Sequence, residues 1–130
     1  MIAIEYLDHV AIRAQDIHKS AEWYETVLGL KKVQVKEWGE YPIFMLAGAT
    51  GIALFPPKVQ TATNLPGKAA IFIDHFAFRV SGENFEKAKT HFDNLGIAYQ
   101  YQDHYYFDSL YIKDPDGHTV ELTTQVKELS

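Results

Sequence analysis

Two histidines stand at matching places in two copies of one short pattern. Leu7-Asp8-His9-Val10-Ala11-Ile12-Arg13 returns 66 residues later as Ile73-Asp74-His75-Phe76-Ala77-Phe78-Arg79. If the two halves of the chain fold alike and pack symmetrically, His9 and His75 become a pair. A histidine pair joined by one carboxylate is a metal-binding set. It covers one face of an octahedron and leaves positions open for water, substrate or dioxygen. Glu121 is the carboxylate that strand alternation turns to the same side as the histidines. Imidazole and carboxylate suit Fe, Mn, Ni, Co or Zn, so the pattern predicts a divalent metal ion without selecting one.

Repetition is what lifts His9 and His75 above the ordinary strand histidine, which is a hydrogen-bonded residue and no ligand. Asp8 and Asp74 alternate away from the expected cavity and read as surface residues or hydrogen-bond partners at the strand entry. Tyr111, ten residues before Glu121 and on its face, is the candidate to contact a substrate. His104, in the aromatic stretch Asp103-His104-Tyr105-Tyr106-Phe107, is the candidate acid–base group at the cavity mouth. Arg13 and Arg79 end the two histidine strands, where a rim salt bridge is their expected use. His18 and His91 lie on helices and read as solvated, and His118 alternates away from Glu121.

The elements that must hold these residues follow from periodicity. Residues 5–13 alternate and read as a strand. A helix over 17–28 follows, with Asp16 as N-cap and Gly29 as its stop. Strands are expected at 31–37, 41–46 and 52–55. The second half repeats this order: a strand at 71–80, a helix at 85–95 between Ser81 and Gly96, and strands at 99–102, 110–113 and 119–123. Asp114-Pro115-Asp116-Gly117 is a strong turn signal between the last two. The fold class is therefore α+β. Two repeated βαβββ modules form a curved mixed sheet around a concave cavity, with the helices outside. The expected organisation is one domain over 1–130, with module one at 1–55, a Pro- and Gly-bearing linker at 56–70 and module two at 71–126.

Alternation also sorts the faces. Val10, Ile12, Phe76, Phe78, Leu110, Ile112, Val120 and Leu122 are assigned to the helices. His9, His75, Ser109, Tyr111, Lys113, Thr119, Glu121 and Thr123 are assigned to the cavity. In module one, Ala53 takes the place of Glu121, and Tyr41, Ile43 and Met45 take those of Ser109, Tyr111 and Lys113. One wall is then polar and the other apolar, which suits an amphipathic small-molecule substrate.

Composition narrows the classes. The chain has 130 residues, 47% hydrophobic and 22% charged, as an ordinary globular protein does. It has no cysteine, which removes disulfides, thiolate metal sites and cysteine nucleophiles. A net charge of −5 without basic clusters argues against nucleic acid as a partner. No leader-like pattern and no stretch of roughly 20 apolar residues is present, so no membrane association is expected, and the cytoplasm is the default compartment.

The paired Asp-His-x-Ala-x-Arg strands, the Leu-Gly helix stops and the run Tyr-Ile-Lys-Asp-Pro-Asp-Gly-His-Thr-Val-Glu-Leu (residues 111–122) resemble the vicinal oxygen chelate superfamily. That group includes glyoxalase I, bleomycin-resistance proteins, fosfomycin-resistance thiol transferases and extradiol dioxygenases. The resemblance covers nearly the whole chain. It implies paired βαβββ modules, a homodimer whose sites can be built across chains, and a metal that holds two vicinal oxygens of a substrate. Ala53 stands where glyoxalase I carries a ligand, which disfavours glyoxalase I in the strict sense. Extradiol dioxygenases keep the His, His, Glu pattern and a tyrosine ten residues before the glutamate, matched by Tyr111, and they need a further histidine that His104 alone could supply. Ser109-Leu110-Tyr111 echoes the fosfomycin thiol transferases, but residues 101–108 lack the Lys or Arg of a phosphonate pocket. The expectation is a metal-dependent dioxygenase or lyase with His9, His75 and Glu121 as ligands and Tyr111 as substrate partner. The alternatives are a non-catalytic protein that sequesters an aromatic ligand or drug, and a thiol transferase.

Overall fold

The computed structural model describes residues 1–60 and 70–129, so most of the expected linker lies outside the described residues. The chain divides into two compact units, Met1–Thr63 and Asn64–Ser130. Each contains one helix and one four-stranded mixed sheet.

In the first unit, β1 (His9–Arg13) leads into α1 (Ile17–Leu28), followed by β2 (Lys31–Val33), β3 (Ile43–Ala47) and β4 (Thr50–Phe55). The sheet order is β1-β4-β3-β2, with β1 parallel to β4 and the other pairs antiparallel. The second unit repeats this with β5 (Phe76–Arg79), α2 (Gly82–Leu95), β6 (Gln100–Asp103), β7 (Phe107–Lys113) and β8 (Thr119–Gln125), in the order β5-β8-β7-β6. The parallel pair in each unit is the one that carries the histidine strand.

The helix limits follow from their caps. The Asp16 carboxylate accepts from the backbone N–H of His18 and Lys19 at 3.1 Å each, and Gly29 closes α1 in the left-handed conformation at φ 67°. Ser81 accepts from Asn84 N–H, and Gly96 closes α2 at φ 69°. Ile17, Ala21, Tyr24 and Val27 form the buried stripe of α1. Phe85 and Phe92 do the same for α2, which starts three residues earlier than periodicity predicts because the Ser81 cap sets its first turn.

The strand lengths correct the sequence reading. The patterns at 5–13 and 71–80 become ladders only from His9 and Phe76. The reason is the partner: β4 begins at Thr50 and pairs Gly51 with His9, while β8 begins at Thr119 and pairs Val120 with Phe76. Just upstream of His9, the Thr50 hydroxyl donates to the Leu7 carbonyl. β2 likewise stops at Val33, and the chain turns through a short 3-10 segment at Lys36–Trp38.

The register of β3 also differs from expectation by one residue. Ile43 pairs with Leu54 and Met45 with Ile52, and all four are buried in the core. Phe44 pairs with Ala53, as Tyr111 pairs with Glu121 in the second unit. Phe44, rather than Ile43 or Met45, therefore faces the side of His9. A one-residue slip exchanges the two faces of a strand, and the irregular chain between β2 and β3 hides the register from sequence.

Candidate active site

The second unit assembles most of the expected residues on one face. Cross-strand pairing sets Gln100 beside Tyr111, Tyr111 beside Glu121 and Ser109 beside Thr123. The turn before β8 fixes where Glu121 emerges. The buried Asp114 carboxylate accepts from the N–H of Asp116 and of His118, each at 2.9 Å, and Gly117 takes the left-handed conformation at φ 83°.

Glu121 is buried, and both of its oxygens have partners. Oε1 lies 2.8 Å from His75 Nε2, and Oε2 accepts from Ser109 Oγ at 2.5 Å. The opposite nitrogen of His75, Nδ1, lies 2.7 Å from the Asp74 carboxylate. A buried carboxylate between a histidine and a hydroxyl is an anionic centre whose hydrogen bonds offset its desolvation. Tyr111 stands against the His75 ring, edge to face, with centroids 5.6 Å apart. Its hydroxyl is 2.9 Å from His104 Nε2. Burial first, then the charge of Glu121 and a hydrogen bond to it, raise the Tyr111 phenol above the ordinary tyrosine value; a hydrogen bond to Ser109 opposes this. The hydroxyl therefore stays protonated near neutral pH.

His104 sits on a tight loop. Its N–H donates to Phe107 C=O, Tyr106 N–H donates to His104 C=O, and Tyr105 is held at φ 70°, a left-handed conformation that a tyrosine rarely adopts. The Asp103 carboxylate accepts from Tyr105 N–H at 2.8 Å and stabilises the bend. Strain of this kind persists where neighbouring contacts over-determine it. An open cleft of about 750 Å³ runs over this face, lined by His75, Tyr99, Gln100, Gln102, Tyr111 and Lys113 among others.

The first unit repeats the histidine without the carboxylate. His9 Nδ1 lies 2.8 Å from the Asp8 carboxylate, and the His9 ring stands edge-on to Phe44 at 5.2 Å. Trp38 also contacts the Phe44 ring, with centroids 5.2 Å apart. Ala53, fully buried, occupies the place of Glu121.

Asp8 and Asp74 are exposed hydrogen-bond partners at the strand entries, as expected, and Asp74 also lines the cleft. Arg13 lies over Phe55 and donates to Pro56 C=O, and Arg79 lies over Phe107 and donates to Gln125. Ser109 was legible as facing the cavity but not as the partner of Glu121. The Asp before each histidine was legible as a repeated residue, and that repetition is the signal for its role.

The donor chemistry fits a divalent ion in part. Asp8 and Asp74 engage the Nδ1 atoms, which leaves Nε2 as the nitrogen of each histidine able to ligate. His75 Nε2 and Glu121 Oε1 converge. Among the described residues, no three His, Asp or Glu side chains gather closely enough to hold an ion. His75 and Glu121 are thus the two members of the expected set brought together within one unit, and His9 belongs to the other.

The model of the Glyoxalase/Bleomycin resistance protein/Dioxygenase superfamily matches residues 6–122. The chain belongs to this superfamily. Among its relatives is the glutathione transferase FosA of Serratia marcescens, 26% identical over 119 residues that cover 92% of this chain and 80% of that protein. Members of known structure share the fold. A lactoylglutathione lyase from Agrobacterium tumefaciens superposes with a TM-score of 0.73 at 24% identity, covering 93% of this chain and 94% of that one. The fosfomycin resistance protein FosX from Listeria monocytogenes superposes with a TM-score of 0.72 at 16% identity, covering 95% and 96%. Superfamily membership agrees with the two-module architecture seen here, in which His9 and His75 stand at matching places and Glu121 is matched by Ala53.

Proposed function

We propose that this superfamily member is a divalent-metal-dependent enzyme acting on a small molecule through two adjacent oxygens. His9, His75 and Glu121 are the proposed ligands. One observation carries the reading: the pair of exposed His75 with buried Glu121 and the Tyr111–His104 pair, 2.8 Å and 2.9 Å across, are joined by the contact of the His75 and Tyr111 rings. When bound, a divalent ion supplies Lewis acidity and a template for substrate oxygens. The protein supplies the proton chemistry. Tyr111, kept neutral, donates a hydrogen bond to a substrate oxygen as charge develops on it. His104, at the other side of that hydroxyl, takes up or returns a proton. The apolar surroundings of His9 suit an aromatic or alkyl part of the substrate.

A dioxygenase or lyase reaction fits these roles best. The test is metal content of tag-free protein after reconstitution with each ion, followed by dioxygen uptake with catechols. About one Fe or Mn per chain, lost in Glu121→Ala, with uptake that depends on it, supports the dioxygenase arm. Absence of binding for every ion sinks the metalloenzyme reading and leaves a cleft that sequesters an aromatic ligand.

A second reading has its own support. Ser109-Leu110-Tyr111 and the similarity to the glutathione transferase FosA favour thiol transfer, and Lys113 places one cation on the cleft wall. Consumption of glutathione in the presence of fosfomycin, followed by NMR, separates this arm from the first.

A further inference from the structure

The turn that carries His104 is strained at Tyr105, a tyrosine where a glycine would rest easily at φ 70°. The Asp103 carboxylate supports the bend from within. Further support comes from the chain just past β8. Val126 N–H donates to Tyr106 C=O at 2.8 Å, and Lys127 N–H reaches the same oxygen at 3.4 Å. The Lys127 ammonium lies 3.6 Å from the centre of the Tyr105 ring. Lys127 is itself held in place. Its carbonyl accepts from the Gln125 side-chain amide at 2.8 Å, and the oxygen of that amide accepts from Arg79.

We infer that Lys127 is a positioning residue: its ammonium, seated on the Tyr105 ring, holds the strained turn and so presents His104 Nε2 to the Tyr111 hydroxyl. The inference rests on the reading of His104 as proton carrier for Tyr111 and deepens it, and it needs no bound ion. The geometry gives the reason. Asp103 is fixed in the β6–β7 ladder opposite Asp108, and Phe107 is fixed in the β7–β8 ladder opposite Gln125. Only residues 104–106 lie between these two anchors. If Tyr105 relaxes to an ordinary negative φ, its ring leaves Lys127 and the change must be absorbed by its neighbours, His104 among them. A cation over an exposed ring favours the held turn by a factor of about 2–5.

The test is NMR on the full chain with labelled His, Lys and Tyr. In wild type, the Tyr105 ring current should shift the Lys127 ε-protons upfield, and NOEs should join the His104 and Tyr111 rings. Neither reading needs a variant to fold. Lys127→Met should weaken those NOEs and speed exchange of the Tyr106 amide, which closes the turn, by about 2–5-fold. The denaturant midpoint should not move, and Lys127→Arg, which keeps a cation on the ring, should restore both signals. In a Tyr105→Gly background, free of both ring and strain, Lys127→Met should have no effect. An unshifted Lys127 in wild type, or unchanged NOEs and exchange in Lys127→Met, overturns the role of Lys127 while the His104–Tyr111 pair stands. Wild type without NOEs between the two rings overturns the pair and the inference together.

Discussion

Tyr111 and His104 meet through a single hydrogen bond, so each should fail in its own way when replaced. Tyr111→Phe removes the donor and keeps the ring on His75; turnover should fall by roughly 10²-fold with little change in metal content. His104→Ala should lower turnover by about 10²-fold or more and change its pH profile, because the proton relay is lost while Tyr111 remains. Both are read by steady-state kinetics on the substrate found by screening. Asp74 belongs to the same scale. Its carboxylate holds His75 Nδ1 at 2.7 Å, and a hydrogen-bond partner of a ligating histidine is worth about 10–100-fold in metal affinity. Asp74→Asn should weaken Mn(II) binding by that factor in a calorimetric titration, and unchanged affinity would remove Asp74 from the site. Side-chain identity made the histidines, Glu121 and Tyr111 legible before the structure was known. The contact of Ser109 with Glu121 was hidden because alternation assigns a face and does not say where a hydroxyl turns.

At the scale of elements, the site is only as well placed as the hairpins behind it. Gly51 pairs with His9 at the start of the β1–β4 ladder. A Cβ there would stand 2.1 Å from the Met45 carbonyl oxygen and 2.9 Å from the Leu46 Cα, both backbone atoms. Gly51→Ala should therefore force β3 and β4 apart and destabilise the fold by about 1–3 kcal/mol, measured as a lower denaturant midpoint. Caps and turns were the most legible elements. Asp16, Gly29, Ser81, Gly96 and the Asp114–Gly117 turn act where local chemistry places them, since each bonds to backbone within a few residues. Strand limits were less legible. Ladder length depends on where the partner begins, and the partner of β1 lies some 40 residues away at β4. The register of β3 was misread because the irregular chain between β2 and β3 breaks the alternation that would carry it.

Across the whole molecule, metal binding and stability should be linked. An ion that binds the native fold at 100 times its dissociation constant adds about 2.7 kcal/mol. Mn(II) should raise the melting temperature of wild type by several degrees and leave Glu121→Ala unchanged, as followed by circular dichroism. Apolar segments precede both histidine strands. Ile2, Ile4, Leu7, Ile71 and Ile73 are each more than half exposed, although their alternation is that of buried strands. Exposed apolar runs of this kind mark interaction surfaces. We expect sedimentation to report twice the chain mass, and replacing Ile4 and Ile73 by Lys to shift it toward the single chain.

The repeat by itself determined that the chain has two like modules, each a histidine strand followed by a capped helix and three more strands. It also determined that the second module carries Glu121 at the place that Ala53 takes in the first, because these are properties of residue type and local spacing. The tertiary structure decided the rest. It set which oxygen of Glu121 meets His75 and which meets Ser109, brought His104 to Tyr111, and placed Phe44 beside His9. Those outcomes depend on strand register and on side-chain rotation, both set by contacts between residues distant in sequence.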